Sequence, residues 1–137
     1  MESFRIACAT DDGSHFVGCH FGDAKHYDIY EVSPDKISFL RRIDNTTEEE
    51  VDEVHADPRK AKGITEILKR EDIRVATTKV FGPNIMRIKS KFVCVLSGTE
   101  EIKIGLEKIR QNFSRVIEEW EKGPDRDFLD FRKVELS

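Results

Sequence analysis

Three short runs set the fold class of this chain. Phe4–Thr10 (FRIACAT), Ile73–Thr77 (IRVAT) and Phe92–Leu96 (FVCVL) are apolar nearly throughout and carry at most one charged residue each. A strand with one wet face alternates polar and apolar residues, whereas a strand covered on both faces does not. Such runs require a sheet with helices packed on each side.

The intervening segments supply those helices. Asp57-Pro58 offers an N-cap followed by proline at the first helical position, and Ala61, Ile64, Ile67 and Leu68 form a stripe behind it. Phe81-Gly82-Pro83-Asn84 opens a short helix carrying Ile85 and Ile88. Ser97-Gly98-Thr99-Glu100 has capping-box spacing, which places Glu100 and Glu101 in the first turn of a helix. Ile102, Leu106, Ile109, Phe113, Val116, Ile117 and Trp120 then continue one apolar stripe for about five turns, up to Gly123-Pro124. Near the N-terminus, His26–Val32 and Lys36–Ile43 flank the turn residues Ser33-Pro34-Asp35 and read as a hairpin. In its second strand Ile37, Phe39, Arg41 and Ile43 are expected on one face. Asp44–Asp57 is acidic, with almost no apolar residues, and reads as a solvated loop.

A hairpin followed by βα alternation predicts an α/β fold: a mixed five-stranded sheet between helical layers. Right-handed crossovers place the later strands beside the first, in the order 3-2-1-4-5. The chain's 137 residues suit one domain, expected over 1–123. Residues 124–137 form a tail whose Phe128, Leu129, Phe131, Val134 and Leu136 dock either on the domain or on a partner.

Ligands of open α/β sheets bind at the carboxyl ends of strands where the winding reverses. Here that crevice lies between the first and fourth strands. Three glycine-bearing loops leave this end of the sheet: Thr10–Gly22, Lys79–Asn84 and Ser97–Thr99.

Composition excludes several classes. Lys and Arg total 23 against 27 Asp and Glu, and no basic run exceeds two residues, which argues against nucleic-acid binding. No apolar run is long enough to span a membrane, and MESFRIACATDDG has neither the basic start nor the apolar stretch of a signal peptide. Cys8, Cys19 and Cys94 form no C-x-x-C pair, so free thiols in a reducing cytoplasm are expected. Phosphate-loop and G-x-S-x-G motifs are missing, and Asp11-Asp12-Gly13 reads as turn chemistry rather than a nuclease's acids.

RIACATDD, then His20-Phe21-Gly22 before the strand YDIYEV, then FGPN before a short helix, resemble the dinitrogenase iron–molybdenum cofactor biosynthesis family. That family includes NifX-like and NafY-like carriers and the C-terminal domain of NifB proteins. The resemblance runs from about Phe4 to about Trp120. It implies a three-layer α/β/α, ribonuclease-H-like motif and a nitrogen-fixation-related role. The implied activity is non-catalytic binding of an iron–sulfur or iron–molybdenum-type cofactor or its precursor, with cofactor-assembly proteins as partners. Relatives often have a glycine-rich stretch before the short helix, where this chain has Thr77-Thr78-Lys79-Val80-Phe81.

His20 and Cys19 are the candidate metal ligands, since imidazole and thiolate suit iron–sulfur species. Phe21, Gly22, Gly82, Ser97 and Gly98 complete the expected cofactor-binding set. A structural reading stands beside this one: His20 bonds loop backbone, Phe21 fills the core, and Gly22 supplies a backbone angle other residues avoid. A wider Cys19/His15/His20 ligand set is conceivable, although its spacing matches no zinc pattern. Cys8 and Cys94 read as core residues. The competing functional classes are a small hydrolase or transferase acting on an anionic molecule in the same crevice, and a regulatory domain without a cluster site.

Overall fold

A computed structural model describes residues 2–47 and 58–137. The acidic segment 48–57, with His55 and the expected cap Asp57, lies outside the described residues. The strands are β1 (Phe4–Thr10), β2 (His26–Val32), β3 (Ile37–Asp44), β4 (Ile73–Thr78), β5 (Val93–Leu96) and β6 (Leu129–Asp130). The helices are α1 (Pro58–Arg70), α2 (Ile85–Ile88), α3 (Ile102–Gln111) and α4 (Phe113–Glu121). The sheet order is β3-β2-β1-β4-β5-β6. β1, β2 and β3 pair antiparallel, while β4 runs parallel to β1, β5 to β4 and β6 to β5. The expected order 3-2-1-4-5 is therefore present. The sheet gains a sixth strand because the tail folds back onto β5.

The central strands feed two cores, as their two-sided apolarity requires. Phe4, Ile6 and Cys8 face α3 and α4, where they meet Ile102, Leu106, Ile109, Phe113 and Val116. Ala7, Ala9, Ala76 and Cys94 face the other side with Ile64, Leu68, Phe21, Tyr27, Phe81 and Phe92. Small residues at the middle of the sheet on that face make room for the aromatic rings.

Three local expectations are corrected. The register of β3 shifts between Ile29 and Tyr30 of its partner, leaving Leu40 as an extra residue. A bulge reverses which face later residues take. Ile37 therefore packs with the α3 core and Ile43 with the α1 core, rather than both on one face. Secondly, the long helix is two helices. Asn112 leaves helical geometry (φ −114°, ψ 30°) and its side-chain amide donates to the Lys108 carbonyl at 2.8 Å. A short polar side chain competing for backbone in this way interrupts a helix. The apolar stripe nevertheless continues across the break, with Phe113 and Val116 buried.

Thirdly, the capping box does not form. Phe16 N–H donates to Glu100 O (2.8 Å) and Ile102 N–H to Ser14 O (3.0 Å), which keeps Glu100 out of the helix and holds Glu101 extended ahead of α3. Ser97 Oγ donates to Thr99 O instead, and Glu100 accepts from Lys79 Nζ.

Candidate ligand-binding site

The loop leaving β1 crosses the end of the sheet and inserts side chains into both cores. Phe16 enters the α3 core, and Val17 and Phe21 enter the α1 core. Phe21 is fully buried, with its ring centroid 5.0 Å from Tyr27 and 5.3 Å from Phe81. It begins a short 3-10 turn, Phe21–Asp23, for which His20 is the extended residue at the N-terminal end.

Nearly every carbonyl of this turn has a donor. His20 O accepts from Asp23 N–H (2.9 Å) and Phe21 O from the Tyr27 hydroxyl (2.8 Å). Gly22 O and Ala24 O both accept from the Asn45 side-chain amide, at 2.7 and 2.8 Å. Asp23 also pairs with Lys60 Nζ at 3.2 Å, and the Lys60 side chain is only 4% exposed. A turn held at this many points is preorganised, so a group standing on it keeps its place. Neither Asn45, Lys60 nor the Tyr27 hydroxyl was expected from sequence. Asn45 lies 23 residues beyond Gly22, and no spacing pattern links the two.

His20 stands on that turn and leans on the β4–α2 loop. A Cβ added to Gly82 would lie 2.5 Å from the His20 ring. Gly82 also has a left-handed φ of +77°, so both the close approach and the backbone angle call for glycine. His20, Phe21, Gly22 and Gly82 thus come together at the carboxyl ends of β1 and β4. Gly22 differs from expectation: its φ is not left-handed, and a Cβ there would meet Lys60 Cε at an ordinary 3.4 Å.

Ser97 and Gly98 are engaged elsewhere. The buried Lys108 of α3 donates to Ser97 O at 3.1 Å, and a Cβ on Gly98 would fall 2.2 Å from Arg132 Cα of the tail. Cys19 is exposed and adjacent to His20 in sequence. Partial burial, then the carboxylates of Asp11 and Asp23, push its thiol pKa up. Cys19 is therefore protonated at neutral pH, and metal binding there would have to displace the proton.

The wider ligand set is not assembled. His15 Nδ1 pairs with Asp12 at 2.8 Å, and the His15 backbone lies antiparallel to that of Glu101. His26 pairs with Asp44 at 2.8 Å. Among the described residues no three His, Cys, Asp or Glu side chains converge as a metal cage. Cys8 and Cys94 are buried core residues, as expected. Asp12 accepts from the Ser14 and His15 N–H groups, which is turn chemistry. The Thr78 hydroxyl, buried at the carboxyl end of β4, finds no hydrogen-bond partner among the described residues. A separate open groove of about 980 Å³, lined by Tyr30, Ile37, Ile102 and Leu106 among others, includes His15 but not His20, Cys19, Phe21, Gly22, Gly82, Ser97 or Gly98.

Comparison with known proteins fits this arrangement. A family model described as dinitrogenase iron-molybdenum cofactor matches residues 2–115. The chain belongs to this family. No curated protein sequence matches it. The matched span includes the His20 turn, the Gly82 loop and α3, and it stops short of β6. No helix among the described residues is long and apolar enough to cross a membrane.

Proposed function

We propose that this chain is a non-catalytic carrier for an iron–sulfur or iron–molybdenum-type cofactor, or its precursor, delivered to or from cofactor-assembly proteins in the cytoplasm. The observation that carries this reading is the His20 ring seated on Gly82, at the crevice where the β1 and β4 loops meet. Membership of a family described as dinitrogenase iron-molybdenum cofactor supports this class of cargo.

The donor set fits cargo rather than a resident cluster. Permanent iron–sulfur centres are held by several thiolates. Here one imidazole stands on a firmly held turn, with a single exposed cysteine next to it in sequence. A single firm ligand allows attachment and release. The Thr78 hydroxyl, which has no hydrogen-bond partner among the described residues, adds a buried polar group at the same end of the sheet.

The test is anaerobic reconstitution with iron and sulfide of the wild type, His20→Ala and Cys19→Ser, followed by metal analysis and visible absorption. Circular dichroism serves as the folding control. His20→Ala should lose most of the bound metal with its fold intact, and Cys19→Ser should lose less. Wild-type retention by His20→Ala would remove the carrier mechanism and direct attention to small anionic ligands in the crevice.

A further inference from the structure

We infer that Asn45 is the positioning residue of the His20 turn, and that a contact on α1 sets its grip. This rests on the reading of His20 as the cargo ligand, but the positioning itself is measurable without cargo.

Asn45 lies just beyond β3, and both N–H groups and the oxygen of its side-chain amide are engaged. Its Nδ2 donates to Gly22 O and Ala24 O, and its backbone N–H to Lys25 O at 2.9 Å. Its Oδ1 accepts from the backbone N–H of Thr47 (2.9 Å) and from the Thr47 hydroxyl (2.6 Å). A side-chain amide offers two N–H groups and one carbonyl oxygen, so the Thr47 bonds fix the orientation in which both N–H groups point at the turn. An amide turned the other way would set its oxygen against two carbonyl oxygens.

Thr47 is in turn seated on α1. A Cβ on Gly63 would lie 2.9 Å from Thr47 Cγ2, closer than packed carbons approach. Rotating Thr47 to move its methyl group also moves the hydroxyl that holds Asn45. The chain of contact is therefore Gly63, Thr47, Asn45, the Gly22 and Ala24 carbonyls, and His20. Through it α1, which does not carry the ligand, governs where His20 stands. Residues that orient a metal ligand typically change metal affinity by about 10- to 100-fold when replaced.

The experiment uses the full chain. The ring signals of His20, assigned by their loss in His20→Ala, are followed by NMR in metal-free protein, and metal retention is followed after reconstitution with iron and sulfide. Asn45→Ala should shift the His20 signals and reduce retention by about tenfold. Because Asn45→Ala leaves two carbonyls without donors and risks the fold, Gly63→Ala provides a second route. Alanine is the better helix former, so any effect of Gly63→Ala arises at the Thr47 contact and not from helix propensity. The expectation is nevertheless a shifted His20 signal and weaker retention. Adding Thr47→Ser removes the clashing methyl group and keeps the hydroxyl, so the Gly63→Ala/Thr47→Ser double variant should recover both. His20 signals unmoved in Asn45→Ala and Gly63→Ala, or no recovery in the double variant, would overturn the inference. If the signals move and recover while His20→Ala retains metal like wild type, the positioning role stands and the carrier reading fails.

Discussion

Two glycines far apart in sequence serve two rings of the same loop. Gly82 lets the His20 ring lie against the β4–α2 loop, and Gly105 of α3 lets Phe16 in, since a Cβ there would sit 2.8 Å from the Phe16 ring. Just ahead of these anchors the loop also carries a charge pair, His15 with Asp12. The hydrogen bond to Asp12, followed by its charge and those of Glu101 and Glu100, raises the His15 pKa above 6.5. The same bond, with the His15 and Ser14 N–H groups, draws Asp12 well below the usual carboxylate range. A histidine whose folded pKa is raised contributes stability in full below its unfolded value, and that contribution is lost as pH rises through the folded value. The carboxylate's contribution is present above its ordinary value and lost as pH falls through the depressed one. Both charges therefore coexist only between the two folded values. Asp12→Asn should move the His15 NMR titration midpoint down toward about 6.5. An unchanged midpoint would show that the pair is not formed in solution. His20, its motif and Gly82 were legible as residues because they sit in neighbouring loops of a recognisable order. Asn45 and Lys60 were not, because their roles depend on where β3 and α1 deliver them.

At the scale of elements, periodicity identifies faces more reliably than ends. The stripe from Ile102 to Trp120 was readable, yet the break at Asn112 was not, because it depends on one side chain bonding a carbonyl within the helix. The capping-box spacing at Ser97 failed because a distant segment, Ser14–Phe16, bonds the Glu100 carbonyl and pairs with Glu101 ahead of the helix. The face switch in β3 was hidden as well, since a bulge exists only relative to the partner strand. The stripe itself makes a quantitative claim. Leu106 is 2% exposed and packs in the core beneath α3. Leu106→Ala should cost about 2–5 kcal/mol in urea unfolding, combining lost transfer energy with the cavity left behind. A loss below about 1 kcal/mol would mean that this face of α3 is not packed on the sheet.

For the molecule as a whole, the question is whether the tail belongs to the domain. The family match ends at residue 115, and composition alone left the tail's docking open. The structure returns it to the sheet. Leu129 and Asp130 pair with β5, Phe131 N–H donates to Leu96 O at 2.9 Å, and the Phe131 side chain is fully buried. Arg126 is buried against Trp120, with its guanidinium carbon 4.1 Å from the ring centroid, and bonds the carbonyls of Trp120 and Ser90. Lys108 reaches from α3 to the carbonyls of both Ser97 and Phe131, tying the tail to the loop after β5. Without the tail, β5 would become an open sheet edge and Lys108 would lose one of its two acceptors while buried. An ornamental tail would add little to stability, whereas one that completes the core behaves like any core element. Phe131→Ala should therefore cost about 3–5 kcal/mol, as deletion of a buried phenylalanine ring does. Chemical denaturation of that variant, followed by tryptophan fluorescence and circular dichroism together, reads the cost and tests for a single transition. A cost near zero, or a tail that melts ahead of the sheet, would make residues 124–137 an appendage. The expected single, earlier transition makes them the sixth strand's share of one cooperative fold.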